Sequence, residues 1–250
     1  MKNNKLRLAI LAIAIVLMAA SSGSAQILPK VTLGFDQAKT PQDAAVTLEI
    51  LFLITILTLA PSILIMMTSF TRIVIVLSFL RKALGTTTEP PNQVIVGLSL
   101  FLTLFIMMPV LTQINDKALQ PYLAEQIDYK VALKEAMSPL RLFMLKQVEE
   151  KDIALFVRIS KMEIPRTVDD LPNTVIIPAF IISELKKAFI IGFLLYIPFL
   201  VIDMVVASLL MSMGMMMLPP ILISLPFKLI LFVLVDGWHL IVQQVVTSFA

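Results

Sequence analysis

The sequence predicts an all-α protein in which two long apolar helical hairpins flank a charged helical segment lying outside the cytoplasm. Three observations carry that expectation. Of 250 residues, 58% are hydrophobic and 15% charged, with a mean hydropathy of +0.94, whereas an average soluble domain has about 25% charged residues. So few charges cannot cover a water-soluble body of this size, which excludes an ordinary soluble enzyme and leaves a membrane protein or a subunit buried in an assembly. Second, the apolar residues gather into four stretches arranged as two pairs. Third, 19 of the 37 charged residues fall within residues 113–171, ten acidic and nine basic.

Residues 1–25 have the three parts of a secretory signal. Lys2, Lys5 and Arg7 precede the apolar run Leu8 to Ala20, and small residues end it at Ser22-Gly23-Ser24-Ala25. Cleavage is expected between Ala25 and Gln26; the apolar run is short of the roughly 20 residues that span a bilayer. Residues 26–46, with Pro29, Gly34 and Pro41, read as a loosely ordered arm. Residues 47–115 read as the first hairpin. No charge lies between Glu49 and Arg72, the apolar pattern resumes to Leu80, and Val94 to Ile114 is again free of charge. Gly85 can end one helix and Pro90-Pro91 can start the next. Residues 116–174 form the charged segment, in which Leu140, Phe143, Met144 and Val148 keep helical spacing behind Ser138-Pro139, taken as N-cap and first helical residue. Thr167-Val168-Asp169-Asp170 and Pro172 read as a turn. Residues 175–250 form the second hairpin, Val175 to Leu210 and Ile221 to Phe249, joined through Gly214 and Pro219-Pro220.

An exported mature start puts the Arg81-Lys82 turn in the cytoplasm, as the positive-inside rule prefers, and the charged segment outside. The Met-rich turn near Gly214 then faces the cytoplasm. Lys186 and Lys187 fall on the wrong side of a simple four-span arrangement.

Arg72, Asp203, Lys228 and Asp236 interrupt apolar runs, and Glu184, Lys186 and Lys187 lie near the start of the third. A charge at a helix centre costs roughly 2.5–3.5 kcal/mol on insertion scales, while a good apolar residue returns about 0.3–0.6. Two basic and two acidic interior charges can pair in a bundle, so a role in assembly or buried pairing is expected over a proton relay. Lys228 and Asp236 are spaced to share a helix face. His239 beside Trp238 reads as a packing residue.

Six of the fifteen Met lie in the 14 residues from Met204 to Met217, densest at the turn Met213-Gly214-Met215-Met216-Met217-Leu218-Pro219-Pro220. Met is unbranched and polarizable, so a ring of such turns could close adaptably around varied contents; plain apolar packing is the other reading, and composition leaves both open. With no Cys, thiolate chemistry and disulfides are excluded. No Gly-rich phosphate loop, metal-ligand spacing or Ser-base pair is found, so neither a catalytic site nor a cofactor is expected. A net charge of +3, contributed largely by the signal, argues against a nucleic-acid partner.

The run PAFIISELKKAF from Pro178, continuing through IGFLLYIPFLVIDMVVASLLMSMGMMMLPP and LPFKLILFVLVDGW, closely resembles the FliP family of the flagellar type III secretion export gate. FTRIVIVLSFLRKALGT, PPNQVIVGLSLFLTLFIMMP, PLRLFMLKQ and DIALFVRIS agree as well, so the resemblance runs from about residue 47 to 250. It implies a core pore-forming subunit that assembles as a helical ring, a pentamer, with FliQ and FliR and near FlhB and FlhA. Unfolded flagellar subunits would be the export substrates. It also implies an inner-membrane, basal-body location with a large periplasmic part, and hairpins lifted partly out of the bilayer. Gly214, Met215, Met216, Met217, Pro219 and Pro220 match the family's pore gasket. Injectisome relatives share the fold; the cleavable signal and extended N-terminus favour the flagellar branch. A small four-span transporter or channel is the alternative class. It would show two similar halves with helices broken at matching positions, but the residues around Pro61, Pro109, Pro198 and Pro226 do not repeat.

Overall fold

A computed structural model describes residues 41–249 apart from 87, 163–164, 166 and 216. The expected signal, its Ala25/Gln26 cleavage point and nearly all of the 26–46 arm lie outside the described residues. The chain divides into two units, one ending at Leu53 and one beginning at Ile54. The first, as far as it is described, is the start of helix α1, Pro41–Met66.

The described residues are helical, without strands. From Ile50 onward α1 carries no charge, and none of its Leu48–Met66 window is buried within the chain. At 1.5 Å per residue those 19 residues span ~28 Å, close to the ~30 Å hydrocarbon core of a bilayer. The apolar run that continues past Arg72 is two helices, not one. It breaks at Met67–Ser69, where the Thr68 hydroxyl donates to the Ile65 carbonyl and accepts from the Phe70 N–H. α2, Phe70–Leu84, buries Ile73, Val76, Leu77, Leu80, Ala83 and Leu84, the i, i+3, i+4, i+7 spacing of a helix with one face inward. Gly85 ends it in the left-handed conformation, its N–H bonded to the Lys82 carbonyl.

α3, Asn92–Ile114, begins behind Pro91 and continues through a π-helical turn, Asn115–Leu119, to Leu123. Its buried stripe is Ile95, Ser99, Thr103, Met107 and Val110, so small polar residues face inward while Phe101 and Phe105 face out. Ser99 and Thr103 donate to the carbonyls of Ile95 and Ser99, four residues back, which lets hydroxyls sit in the core without outside partners.

α4, Tyr129–Gln147, corrects the expected start at Ser138-Pro139. Asp128 is the true cap, accepting from the Tyr129 N–H at 2.7 Å; Pro139 is buried mid-helix, where packing outweighs the lost backbone hydrogen bond. α5, Glu150–Ile159, is followed by a 3₁₀ turn, Val168–Asp170, closed by a capping box between Thr167 and Asp170.

α6, Asn173–Ser212, runs 40 residues through Pro178 and Pro198, ~60 Å and about twice a hydrocarbon core. α7, Pro220–Leu234, and α8, Gly237–Thr247, replace the single helix expected from Ile221 to Phe249. They meet at 66°, with Asp236 at φ 50 between them. The bend seats Gly237 against Phe232: a Cβ there would lie 2.2 Å from the ring.

Two cores result. One joins α2 to Ile95, Ala188, Phe199, Phe232, Ile241 and Val245; the other joins Met67 to Met144, Leu171, Val175, Ile176 and Phe180. α2 and α6 approach closely at Gly192, where a Cβ would lie 2.6 Å from Phe79 Cγ. α1, α3 extended to Leu123, and α6 are long and apolar enough to cross a membrane, and the bent α7–α8 pair would count as a broken span.

Candidate functional site

Three of the four charges that interrupt the apolar runs are paired in two clusters, with Arg72 and Lys228 buried and Asp203 half-buried. At the first turn of α2, Arg72 is buried with Glu184 of α6. Its Nε donates to Oε2 at 2.9 Å, and Nη2 donates to the other carboxylate oxygen. Nη2 also reaches Gln147 Oε1 at the end of α4, at 2.9 Å. Nη1 donates to the Ser248 carbonyl and hydroxyl beyond α8, and the guanidinium lies 3.7 Å from the Phe249 ring centre. Gln147 Nε2 donates back to the Phe249 carbonyl at 3.1 Å. One arginine thus ties together α2, α4, α6 and the segment after α8, with its charge balanced by one carboxylate.

Lys187 donates to the Gln147 carbonyl at 2.5 Å, and Lys186 reaches Glu149 at 2.7 Å. These two lysines, out of place in a four-span arrangement, point at the charged segment, and a helix of ~60 Å has room to hold them beyond a bilayer. Alongside, Ser183 donates to Asp152 at 2.6 Å and accepts from the Glu149 N–H, so the start of α5 is bonded to α6 by a polar seam. Glu149 is held down to about 2, mainly by its hydrogen bond from Lys151 and next by that from Lys186, and Lys151 is raised by the same contact.

The second cluster lies across the two legs of the α6–α7 hairpin. Lys228 of α7 donates to Asp203 of α6 at 2.7 Å and to the Ala83 carbonyl at 3.1 Å, placing a cation at the C-terminal end of α2, where the helix dipole favours it. Ser224 donates to the other Asp203 oxygen at 2.5 Å. The sequence expectation that Lys228 and Asp236 share a helix face is corrected. The bend after Leu234 separates them, and Asp236 is exposed, with no ion pair among the described residues.

Beyond this lock the hairpin ends in the Met turn. Gly214 has φ 75, and a Cβ built there would meet nothing within 4 Å. Met211, Met213, Met215, Met217 and Leu218 are all exposed, Met217 at 98%; Met216 lies outside the described residues. The tip is therefore an apolar knob without a cover of its own. Gln147, Glu149, Asp152, Ser183, Ser224 and Ser248 are hydrogen-bonding or ion-pair partners in these clusters that sequence reading missed. Only Ser224, four residues before Lys228 and so on its face, carried a usable signal. Among the described residues no three His, Asp or Glu side chains converge as a metal ion requires.

The sequence profile of the FliP family matches residues 53–245. The chain belongs to the FliP family. It is 56% identical over 209 residues to the flagellar biosynthetic protein FliP of Bacillus subtilis (strain 168), covering 84% of this chain and 95% of that protein. The FliP of Caulobacter vibrioides is 52% identical over 238 residues, 95% of this chain and 88% of the relative. That of Aquifex aeolicus is 53% identical over 205 residues, 81% and 86%. Both ion-pair cores and the Met turn fall inside the FliP match, whereas the Ser248–Phe249 segment gripped by Arg72 lies just beyond it.

Proposed function

We propose that this FliP-family chain is a core pore-forming subunit of the flagellar type III protein export gate, serving flagellum biosynthesis and protein secretion without catalysis of its own. The observation that carries the gate role is the Met turn: an exposed, apolar, adaptable tip on a hairpin whose legs are pinned by Asp203, Ser224 and Lys228. A ring of such tips closes a pore by apolar contact and yields to an unfolded chain of any sequence, because thioethers adapt without a specific fit. Gly214, Met215, Met216, Met217, Pro219 and Pro220 form this gasket. Arg72, Glu184, Lys186, Lys187, Asp203 and Lys228 hold the subunit in the shape that assembles. The subunit acts as a homo-oligomer, a pentamer, with FliQ and FliR, near FlhB and FlhA, in the bacterial inner membrane and basal body with its charged segment periplasmic. The name its relatives carry, flagellar biosynthetic protein, and the exposed apolar helices support this reading.

Replacing Met215, Met216 and Met217 with Ala is expected to leave assembly intact and let ions leak; unchanged conductance would remove the gasket role. Glu184→Ala or Asp203→Ala is expected to reduce oligomer on a native gel before any export step fails. Normal oligomer with lost export would point to an ion relay instead.

A further inference from the structure

We propose that the exposed thioethers at the hairpin tip, Met217 foremost with Met213 and Met215, are sites of reversible oxidation by peroxides, and that sulfoxide formation there opens the gate to small ions. This rests on the gasket reading and adds a regulator to it. The described methionines range from fully buried to fully exposed. Met67 and Met144, in the core around Ile176 and Phe180, and Met107, on the α3 stripe, are 1%, 0% and 2% exposed, whereas Met217 is 98% and Met213 68% exposed. Met66, Met108, Met204 and Met211 are exposed on the single chain as well, but they sit within the helices long and apolar enough for a membrane, where an apolar cover is required. The turn lies beyond those helices, and on the single chain Gly214 faces open space and residues 213–219 are exposed wherever described.

Oxidation of Met follows access to the sulfur. A sulfur lone pair attacks one peroxide oxygen, the S–O bond forms as the O–O bond breaks, and the proton on the transferred oxygen goes to the departing hydroxide. Sulfur loses two electrons, hydrogen peroxide is reduced to water, and no other reactant is needed. The product is a polar, chiral side chain in place of an apolar, flexible one. At a constriction that excludes water by apolar contact, a dipole that hydrogen-bonds water favours wetting and conduction. In a ring the change is repeated once per subunit. Methionine sulfoxide reductases reverse it with two electrons and two protons from a dithiol, which becomes a disulfide as the oxygen leaves as water, so the modification is a switch and not only damage.

The experiment uses the assembled complex in liposomes, treated with hydrogen peroxide. Oxidation at each Met is mapped by mass spectrometry and ion conductance is read before and after. Met217 is expected to oxidise at least about tenfold faster than Met67, Met107 and Met144, with conductance rising in parallel and falling again after reductase treatment. A triple variant, Met213→Leu, Met215→Leu and Met217→Leu, keeps apolar volume and removes those three sulfurs; its treated-to-untreated conductance ratio is expected to fall well below that of the unsubstituted complex. Equal oxidation of core and tip sulfurs overturns the proposal. So does tip oxidation with unchanged conductance in a complex whose Ala variants leak, which leaves the gasket standing. If neither oxidation nor Ala replacement alters conductance, the gasket reading itself falls.

Discussion

Arg72 uses all five of its N–H donors: two bonds to Glu184, one to Gln147 and two to Ser248. A buried pair stabilises little relative to apolar residues, but removing one partner strands a charge and costs about 3–5 kcal/mol. Glu184→Ala is therefore expected to cost that much in unfolding measured in detergent. Glu184→Gln, which keeps an acceptor, should cost less. Arg72→Lys, with no planar fork to serve three partners, should behave more like a deletion than a conservative change. At Glu149 the prediction is one of pH. A carboxyl depressed to about 2 contributes fully above its ordinary value of 4.5 and loses that contribution as pH falls toward 2. Lys151, raised from 10.5, contributes below 10.5 and loses its share only above it. Hydrogen-exchange protection of the Glu150–Ile159 amides, corrected for intrinsic rate, should thus be flat between about pH 5 and pH 9 and fall below about pH 4. Lys186→Met should move that fall upward in pH. Arg72, Glu184, Asp203 and Lys228 were legible as charges in apolar runs, since nothing else explains their cost. Their neutral partners Gln147, Ser183 and Ser248 were not, because an uncharged polar residue in a mixed segment has no signature until the chain brings it to the charge.

At the scale of elements, three junctions can be tested. Gly192→Val forces a side chain into Phe79, whose Cγ and Cβ would lie 2.6 and 2.9 Å from the new Cβ. Overpacking of this kind costs about 1–3 kcal/mol, and Phe79→Ala should restore part of it. Asp236, at φ 50, holds the α7–α8 bend: Asp236→Gly should be tolerated and Asp236→Val should cost about 1–2 kcal/mol. Both are read as shifts in thermal unfolding. Asp203→Ala and Lys228→Ala should be strongly non-additive, the double variant losing less than the sum of the singles, as a contacting pair requires. The break before α8 was not legible in sequence, because Asp236-Gly237 reads equally well as a helical Asp followed by a tolerated Gly. The break at Met67–Ser69 was hidden for a related reason: hydropathy stays high across it, and the change is one of period, from an all-round apolar helix to an amphipathic one. The Ser138-Pro139 misreading came from local propensity overridden by burial of Pro139.

Across the described residues, two apolar cores stand beside buried charges and hydroxyls and a largely apolar surface. Arg72, Glu184, Lys228, Ser99, Ser183 and Ser224 are buried, while Phe52, Phe101, Phe105, Phe193 and Leu234 are exposed. Such a surface needs lipid or another subunit against it, which is why composition alone gave the class of protein correctly yet could not apportion the apolar surface between those covers. The absence of Cys makes sidedness measurable, since any introduced thiol is the chain's only one. A membrane-impermeant maleimide should label Lys134→Cys from the periplasm and Met217→Cys from the cytoplasm, and labelling of both from one side would overturn the proposed orientation. The Asp203–Ser224–Lys228 lock also has a mechanical meaning. It clamps the hairpin some nine residues from its turn, leaving a free length of ~14 Å. A beam that short is stiff, and its root is fixed to the end of α2 through the Ala83 carbonyl. In the proposed ring, passing a segment coiled as a helix ~10 Å wide would need each tip to swing outward by only ~5 Å, about twenty degrees about the clamp. Moving the lock one helical turn toward Met217 would shorten the beam and narrow what can pass.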